Sequence, residues 1–433
     1  MVTGSCSGGA RAVARCDQLG LAPYSDMMGG LYRAYLTPAH RATVDQVGGW
    51  MFEAGMSARI DPAGNLVGHY PGARSDAPAL IIGSHLDSVR DGGCYDGPLG
   101  VMLGIECVAA LHAAGRRLPF AIDVYGFGDE EGSRFPAAML SSRAVAGTLD
   151  VDLMTIADTH GVPLADALRD FNAADDDEGV MQILETAPLG IAGFHKARRR
   201  TGHVLAYLEA HIEQGPALEA DGLAVGTVTG IAAQLRYRVV VTGMAGHAGT
   251  TTMRLRRDPL AGAAAMVLSV EQLARADNSD VVATVGMIEA LPGAPNVIPG
   301  EVRFTIDVRS GVETRRDTVA EQILDRIVEI ADARDLDFAI ERIHDLPASP
   351  CDAALMDLMD AALVAAGQSP RRLVSGAGHD AMNMAALCPT AMLFIRCKGG
   401  ISHNPAEHVD PADADIALQV MLGFIERLAA KHA

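Results

Sequence analysis

The sequence predicts an α/β fold: a domain on a mainly parallel sheet, interrupted by a smaller α+β domain of order β-α-β-β-α-β. Two observations predict it. Short, wholly apolar runs alternate with helical periodicity through the first half of the chain and again near its end, as in strands buried on both faces by crossover helices. Between residues 217 and 346 the strands instead alternate polar and apolar residues, the mark of a sheet with one open face. The expected division is a discontinuous domain, 1–216 with 347–433, and an insert, 217–346. A chain of 433 residues also exceeds what one hydrophobic core usually organises.

Taken in order, residues 28–56 carry apolar positions three to four apart and predict a helix. The run 78–83 (PALIIG) predicts a buried strand, 100–115 a helix ending at Gly115, and 120–127 (FAIDVYGF) a second buried strand. Short helices are expected at 137–147 and 163–172, and a strand at 204–210. In the insert, strands are expected at 234–243, 280–291, 301–310 and 337–343, with helices at 258–276 and 313–335. The α/β texture then returns with a helix at 352–366, a strand at 391–396 and a helix at 412–431.

Composition narrows the function. A formal charge of −19 argues against nucleic acid and against an anionic membrane surface as partners, though a local site can still take a small anion. Seven cysteines, at 6, 16, 94, 107, 351, 388 and 397, include no CxxC pair. They read as reduced thiols, and a cytoplasmic location is expected. No secretory pattern opens the chain, and no apolar run reaches the roughly 18–20 residues of a membrane helix.

Four segments carry candidate chemistry. In GSHLDSVRDGGCYDGPLG (83–100), His85 and Asp87 follow a buried strand and face the same way, so His85 can ligate a metal while Asp87 orients its ring. Asp96 lies among glycines at a helix start, where a sharply folded backbone can bring a carboxylate between two cations. In GDEEGSRFP (128–136), Glu130 and Glu131 offer two roles, one ligating metal and the other taking the proton of an activated water. His211 in YLEAHIEQGP (207–216) and His403 in GGISHNPAEHV (399–409) also follow strand-like runs. The carboxyl edge of an open α/β sheet is where ligands bind. Three histidines and two carboxylates, one of them shared, suit a pair of borderline ions such as Zn²⁺ or Mn²⁺.

On the combination GSHLDS, YDG, DEEGSRF, HIEQGP, HAGTT, SGAGHDA and GISHNP, in this order along nearly the whole chain, the sequence resembles the hydantoinase/carbamoylase amidases of the dinuclear-metal aminoacylase and peptidase superfamily. The resemblance implies a catalytic domain with an inserted lid and dimerisation domain, hence a homodimer. It also implies two divalent ions, Zn²⁺ or Mn²⁺ with Co²⁺ and Ni²⁺ as further options. His85 and His211 would hold one ion and Glu131 and His403 the other, with Asp96 bridging. Glu130 would be the general base and Asp87 the partner of His85. A histidine at 211, where the peptidase branches usually carry Asp or Glu, favours the ureido-cleaving branch. His247 would stabilise a substrate oxygen, in the active site of the partner subunit. Asn296 and Arg309 would hold the substrate carboxylate, and Gln214 and His379 would line the pocket.

Two positions depart from the family pattern: Thr252 stands where Pro is usual, and Ala245-Gly246 where Ala-Asn is. Both touch lid geometry and substrate preference. The expected reaction is hydrolysis of the carbamoyl C–N bond of a small anionic ureido substrate, an N-carbamoyl-L-amino acid or allantoate. An aminoacylase or dipeptidase, or a non-catalytic metal-binding protein on the same fold, are the alternatives.

Overall fold

A computed structural model describes residues 7–173, 184–186 and 190–432. They fall into two compact units, one of residues up to Thr229 with Cys351–Leu373 and from His379 onward, the other of Gly230–Pro350 with Val374–Gly378. Residues 217–229 therefore sit with the first unit and 374–378 with the second. The reason for the first is local. Leu218, on the short helix Ala217–Asp221, is buried in that unit, and the strand Val225–Ile231 pairs into its sheet.

In the first unit four parallel strands stand side by side: Thr390–Ile395, Val204–Ile212, Ala79–His85 and Ala121–Phe127. Antiparallel strands flank them, Val225–Ile231 on one side and Leu66–Tyr70 then Ser57–Ile60 on the other. The 79–85 and 121–127 strands are buried at every position. That is why they read as continuous apolar runs, since helices cover both faces of such a sheet. The helix Pro98–Ala113 is buried almost all round.

Expectation and structure part at one helix of this unit. The helix expected over 28–56 is confined to Pro38–Glu53. Pro38 has no N–H to give to a preceding turn, and the Thr37 side chain caps the new start by accepting from His40 N–H at 3.3 Å. The helix Gly8–Leu19 and the hairpin 57–70 were not foreseen.

The second unit is a β-α-β-β-α-β sheet and helix layer. Strands Ala233–Thr242 and Glu301–Ser310 lie at its centre, antiparallel, with Asp337–Leu346 beside the first. The strand expected over 280–291 is two pieces, Val282–Thr284 and Ile288–Leu291, both against 301–310. Between them Thr305 N–H donates to the Met287 carbonyl, which spans the break. Helices Pro259–Ala276 and Glu313–Ala333 cover one sheet face, over Val239, Val241, Phe304 and Ile306. No helix among the described residues is long and apolar enough to cross a membrane.

Candidate metal centre

The four parallel strands place the four motif segments at one carboxyl edge. His85 ends its strand, His211 lies next to the end of its own, and the 121–127 and 390–395 strands lead into Glu130-Glu131 and His403. Two glycines bring Asp96 in from the side. Gly97 has φ +85°, and a Cβ there would meet the His85 ring at 2.5 Å. At Gly100 a Cβ would lie 2.0 Å from the Ala210 carbonyl oxygen. Absence of side chains at both positions lets the helix start close against the strand that carries His211.

The histidines are set in one tautomer by backbone carbonyls. His85 Nδ1 lies 3.1 Å from the Asp87 carbonyl, and His211 Nδ1 2.9 Å from that of Ile212. With Nδ1 donating in both, each Nε2 presents a lone pair. These two atoms are 3.4 Å apart. Asp96 Oδ1 lies 3.0 Å from His211 Nε2 and 3.5 Å from His85 Nε2, and its Oδ2 lies 3.4 Å from His403 Nε2. His403 Nε2 is also 3.6 Å from Glu131 Oε1. Asp96 thus offers one oxygen to each side. Ring nitrogens and carboxylate oxygens converge here at 3.0–3.6 Å, an arrangement that a cation among them satisfies. A divalent ion in each group, His85–Asp96–His211 and Asp96–Glu131–His403, fits these donors. His85 and His211 side chains are 1 % exposed and His403 49 %, so the cluster opens on the His403 side.

Asp87 ties two segments together. Its Oδ1 accepts from Glu130 N–H and its Oδ2 from Glu131 N–H, both at 3.1 Å, while Oδ1 lies 3.5 Å from His85 Nδ1. Burial pushes the Glu130 and Glu131 carboxyls up, Glu131 to about 8, with His85 pulling both down and neighbouring carboxylates adding to the rise. Burial works to lower His85, but Asp87, Asp96 and Glu130 outweigh it and hold the ring's pKa up. This excess of buried negative charge is the field in which cations are favoured. Glu130 groups with His85 and Glu131, its carboxylate within 4.8 Å of their ligand atoms.

Gln214, in left-handed backbone at φ +56°, donates to Asp96 Oδ2 at 2.8 Å and to Ser402 Oγ at 3.2 Å. His379 packs edge-on against the His211 ring, centroids 4.4 Å apart, and is fully enclosed. The structure adds residues that the sequence reading left out. Ser402 Oγ donates to Asp96 Oδ2. Glu407 Oε1 accepts from Tyr95 and Asp96 N–H at 2.8 and 3.1 Å. Glu209 accepts from Ser84 Oγ, Tyr207 O–H and Ala381 N–H, joining three segments behind the cluster. All three sit inside motif segments already singled out, one to four residues from a candidate ligand. Proximity to a ligand was the available signal.

The remaining candidates belong to the second unit. His247 and Asn296 come together where Gly246–His247 pairs with Val297–Ile298, and Ala248 N–H donates to the Asn296 carbonyl at 3.0 Å. Gly249 N–H donates to His247 Nδ1 at 3.0 Å, so a neutral ring carries its proton on Nε2 and that atom can donate. Arg309 lies on the 301–310 strand, apart from that hairpin. Its Nε and Nη2 grip Asp307 at 2.7 and 3.0 Å, and Nη1 donates to the Gly376 carbonyl. The edge between its two Nη atoms is the one left to meet an anion.

Comparison with known proteins places this geometry. The model of peptidase family M20/M25/M40 matches residues 81–427. The chain belongs to that family. Among curated relatives, the M20 chain is 38 % identical to allantoate deiminase 1 of Glycine max, over 96 % of its own length and 89 % of the relative's. It is 39 % identical to an N-carbamoyl-L-amino acid amidohydrolase of Geobacillus stearothermophilus, over 93 % and 94 %. A crystal structure of a hydantoinase/carbamoylase family amidase from Burkholderia multivorans superposes with a TM-score of 0.86 at 32 % identity, covering 98 % of each chain.

Proposed function

We propose that this M20 protein hydrolyses the carbamoyl C–N bond of a small ureido substrate that carries a carboxylate, such as an N-carbamoyl-L-amino acid or allantoate. The observation that carries the reading is Asp96, set between two groups of candidate ligand atoms with Glu130 at their edge. A binding protein has no use for a carboxylate base beside a complete ligand set. The ureido class is supported by the named activities of relatives that match over most of the chain.

Two divalent ions, Zn²⁺ or Mn²⁺ with Co²⁺ and Ni²⁺ compatible with the same donors, would be held by His85 and His211, by Glu131 and His403, and by Asp96 between them. When bound, they supply Lewis acidity and lower the pKa of water. Glu130 accepts a proton from the attacking water as its oxygen bonds to the carbamoyl carbon, then delivers it to the nitrogen as the C–N bond breaks. An N-carbamoyl amino acid and water give the amino acid, carbon dioxide and ammonia. His247 donates from Nε2–H to the carbonyl oxygen as charge develops there. Arg309, through its free edge, and Asn296 take the carboxylate. The second unit serves as lid and dimerisation domain, with the partner subunit's lid supplying the histidine. Gln214 and Ser402 hold the Asp96 carboxylate in its bridging orientation.

The test is ammonia release by metal-loaded protein from allantoate, N-carbamoyl-β-alanine and an N-carbamoyl-L-amino acid, beside deacylation of an N-acetyl-L-amino acid. Turnover of a ureido compound is expected. Deacylation without ammonia would replace this reading with an aminoacylase.

A further inference from the structure

Arg309 stands on the strand Glu301–Ser310 directly across from Gln234, and Asp307 stands across from Arg236. These four alternate with Leu235, Tyr237, Ile306 and Val308, which are buried in the core under the helices. They therefore share the opposite face of the sheet. Asp307 gathers the other three. Its Oδ2 accepts from Gln234 Nε2 at 2.6 Å, from Arg236 Nε and Nη2 at 3.1 and 2.8 Å, and from Arg309 Nη2 at 3.0 Å. Its Oδ1 accepts from Arg309 Nε at 2.7 Å. One carboxylate thus grips the Nε–Nη2 edge of Arg309 at two points. The third nitrogen is held by Gly376, whose carbonyl accepts from Nη1 at 2.6 Å. That carbonyl sits in a turn with anchors of its own. The Ser375 carbonyl accepts from Ala232 N–H at 2.8 Å, and Ser375 Oγ accepts from Ala377 N–H at 3.2 Å.

Such a bracket bears on affinity in two ways. A long side chain that is already fixed has less rotamer freedom to lose when a ligand arrives. Charge is the second. Asp307 alone would neutralise Arg309, but Arg236 leaves two guanidinium groups against one carboxylate, so the group stays attractive to an anion. Burial works to raise the Asp307 carboxyl, but Arg309, Arg236 and Gln234 outweigh it and hold its pKa below the usual carboxylate range.

We propose that Asp307 is a positioning residue for the substrate carboxylate. It fixes Arg309 by the Nε–Nη2 edge and leaves the edge between the two Nη atoms for the anion, while Arg236 offsets the charge that Asp307 brings. This inference rests on the ureido-acid reading above. Asp307 itself touches no reacting atom. It acts through Arg309, and this separates it from an ion pair that only neutralises a sheet face.

The experiment is steady-state kinetics of ammonia release by the metal-loaded full chain, on whichever of the three ureido acids named above it turns over fastest. Wild type, Asp307→Asn, Arg309→Ala and the double variant are compared. Asp307→Asn keeps the size but sets an amide NH2 among guanidinium donors. Its KM should rise about tenfold with kcat within about twofold of wild type, as for binding lost equally from ground and transition states. In the Arg309→Ala background the same change should leave kcat/KM within about twofold, because no guanidinium remains to be aimed. An unchanged KM in Asp307→Asn, a fall in kcat alone, or equal losses in both backgrounds would each overturn this inference and leave the ureido reading standing. A wild type that releases no ammonia from any of the three compounds would remove that reading, and the inference with it. Should Asp307→Asn fail to fold, Asp307→Ser decides by the same comparison.

Discussion

At the scale of single residues, the proposed reading separates groups that would hold metal from one group, Glu130, that would move a proton. Glu130 and Glu131 are adjacent and share the support of Asp87 through their backbone N–H groups, yet only Glu131 faces His403. Glu130→Gln keeps the shape and removes the base. Its kcat should fall by about 10²–10⁴, with metal content by elemental analysis unchanged. Loss of metal together with activity would make Glu130 a ligand. The sequence pointed to His85, Glu131, His211 and His403 because their segments follow apolar runs that read as buried strands, and to Asp96 because it lies among glycines at a helix start. It did not show Ser402, Glu407 or Glu209. Glu407 acts on backbone N–H groups and Glu209 joins segments remote in the chain, relations that exist only once the loops are folded.

A second residue outside the cluster sets a pH dependence. His40 is fully buried, accepts from Leu36 N–H at Nδ1 and stacks on Phe171. Burial lowers its pKa from 6.5 to about 3. The folded state therefore holds this ring neutral where the unfolded chain protonates it. Below pH 6.5 the unfolded state binds one more proton, so stability falls as pH falls, by about 1.4 kcal/mol per pH unit for one such group. Asp61, raised to about 6 by burial, has the opposite sign, so the comparison must be between variants. His40→Asn should show a shallower loss of stability between pH 6 and 4 than wild type in urea titrations. Parallel curves would assign the acid sensitivity elsewhere.

At the scale of elements, legibility followed burial. Strands buried on both faces and the alternating strands of the second unit were plain from the sequence, because each has one period and one environment. The 28–37 stretch misled, since its apolar residues match a helical period but the chain is turned by side-chain bonds, with Ser25 Oγ donating to Gly30 O and accepting from Tyr32 N–H. The approach of the 98–113 helix to the sheet yields a sharper expectation. Gly100→Ala sets a methyl against the Ala210 carbonyl and must push the helix start, with Asp96, away from His211. A cost of about 1–3 kcal/mol is expected, with weaker metal binding by chelator competition. Gly49→Ala, in the helix 38–53 with nothing within 4 Å of the new Cβ, should instead be neutral or stabilising by up to about 1 kcal/mol. Equal effects at both positions would mean that close approach does not fix the loop.

At the scale of the whole molecule, the formal charge of −19 is distributed so that part of it is buried where cations are needed. Asp87, Asp96 and Asp129 are enclosed around the cluster and Glu131 nearly so, and burial pushes Glu131 and Asp129 up. Without ions the folded state carries this repulsion, and the unfolded chain relieves it. Metal binding and folding are therefore linked. An ion that binds only the folded chain adds about 2.7 kcal/mol at a hundred times its dissociation constant, which is several degrees in melting temperature. Removing metal with a chelator should lower Tm by that order, and returning Zn²⁺ or Mn²⁺ should restore it. The restoration should be largely lost in His211→Ala, because that ring faces both Asp96 and His85. His247→Ala, in the other unit, should recover as wild type does while turnover stays low. A chelated wild type whose Tm does not move would place the five side chains around something other than tightly held cations.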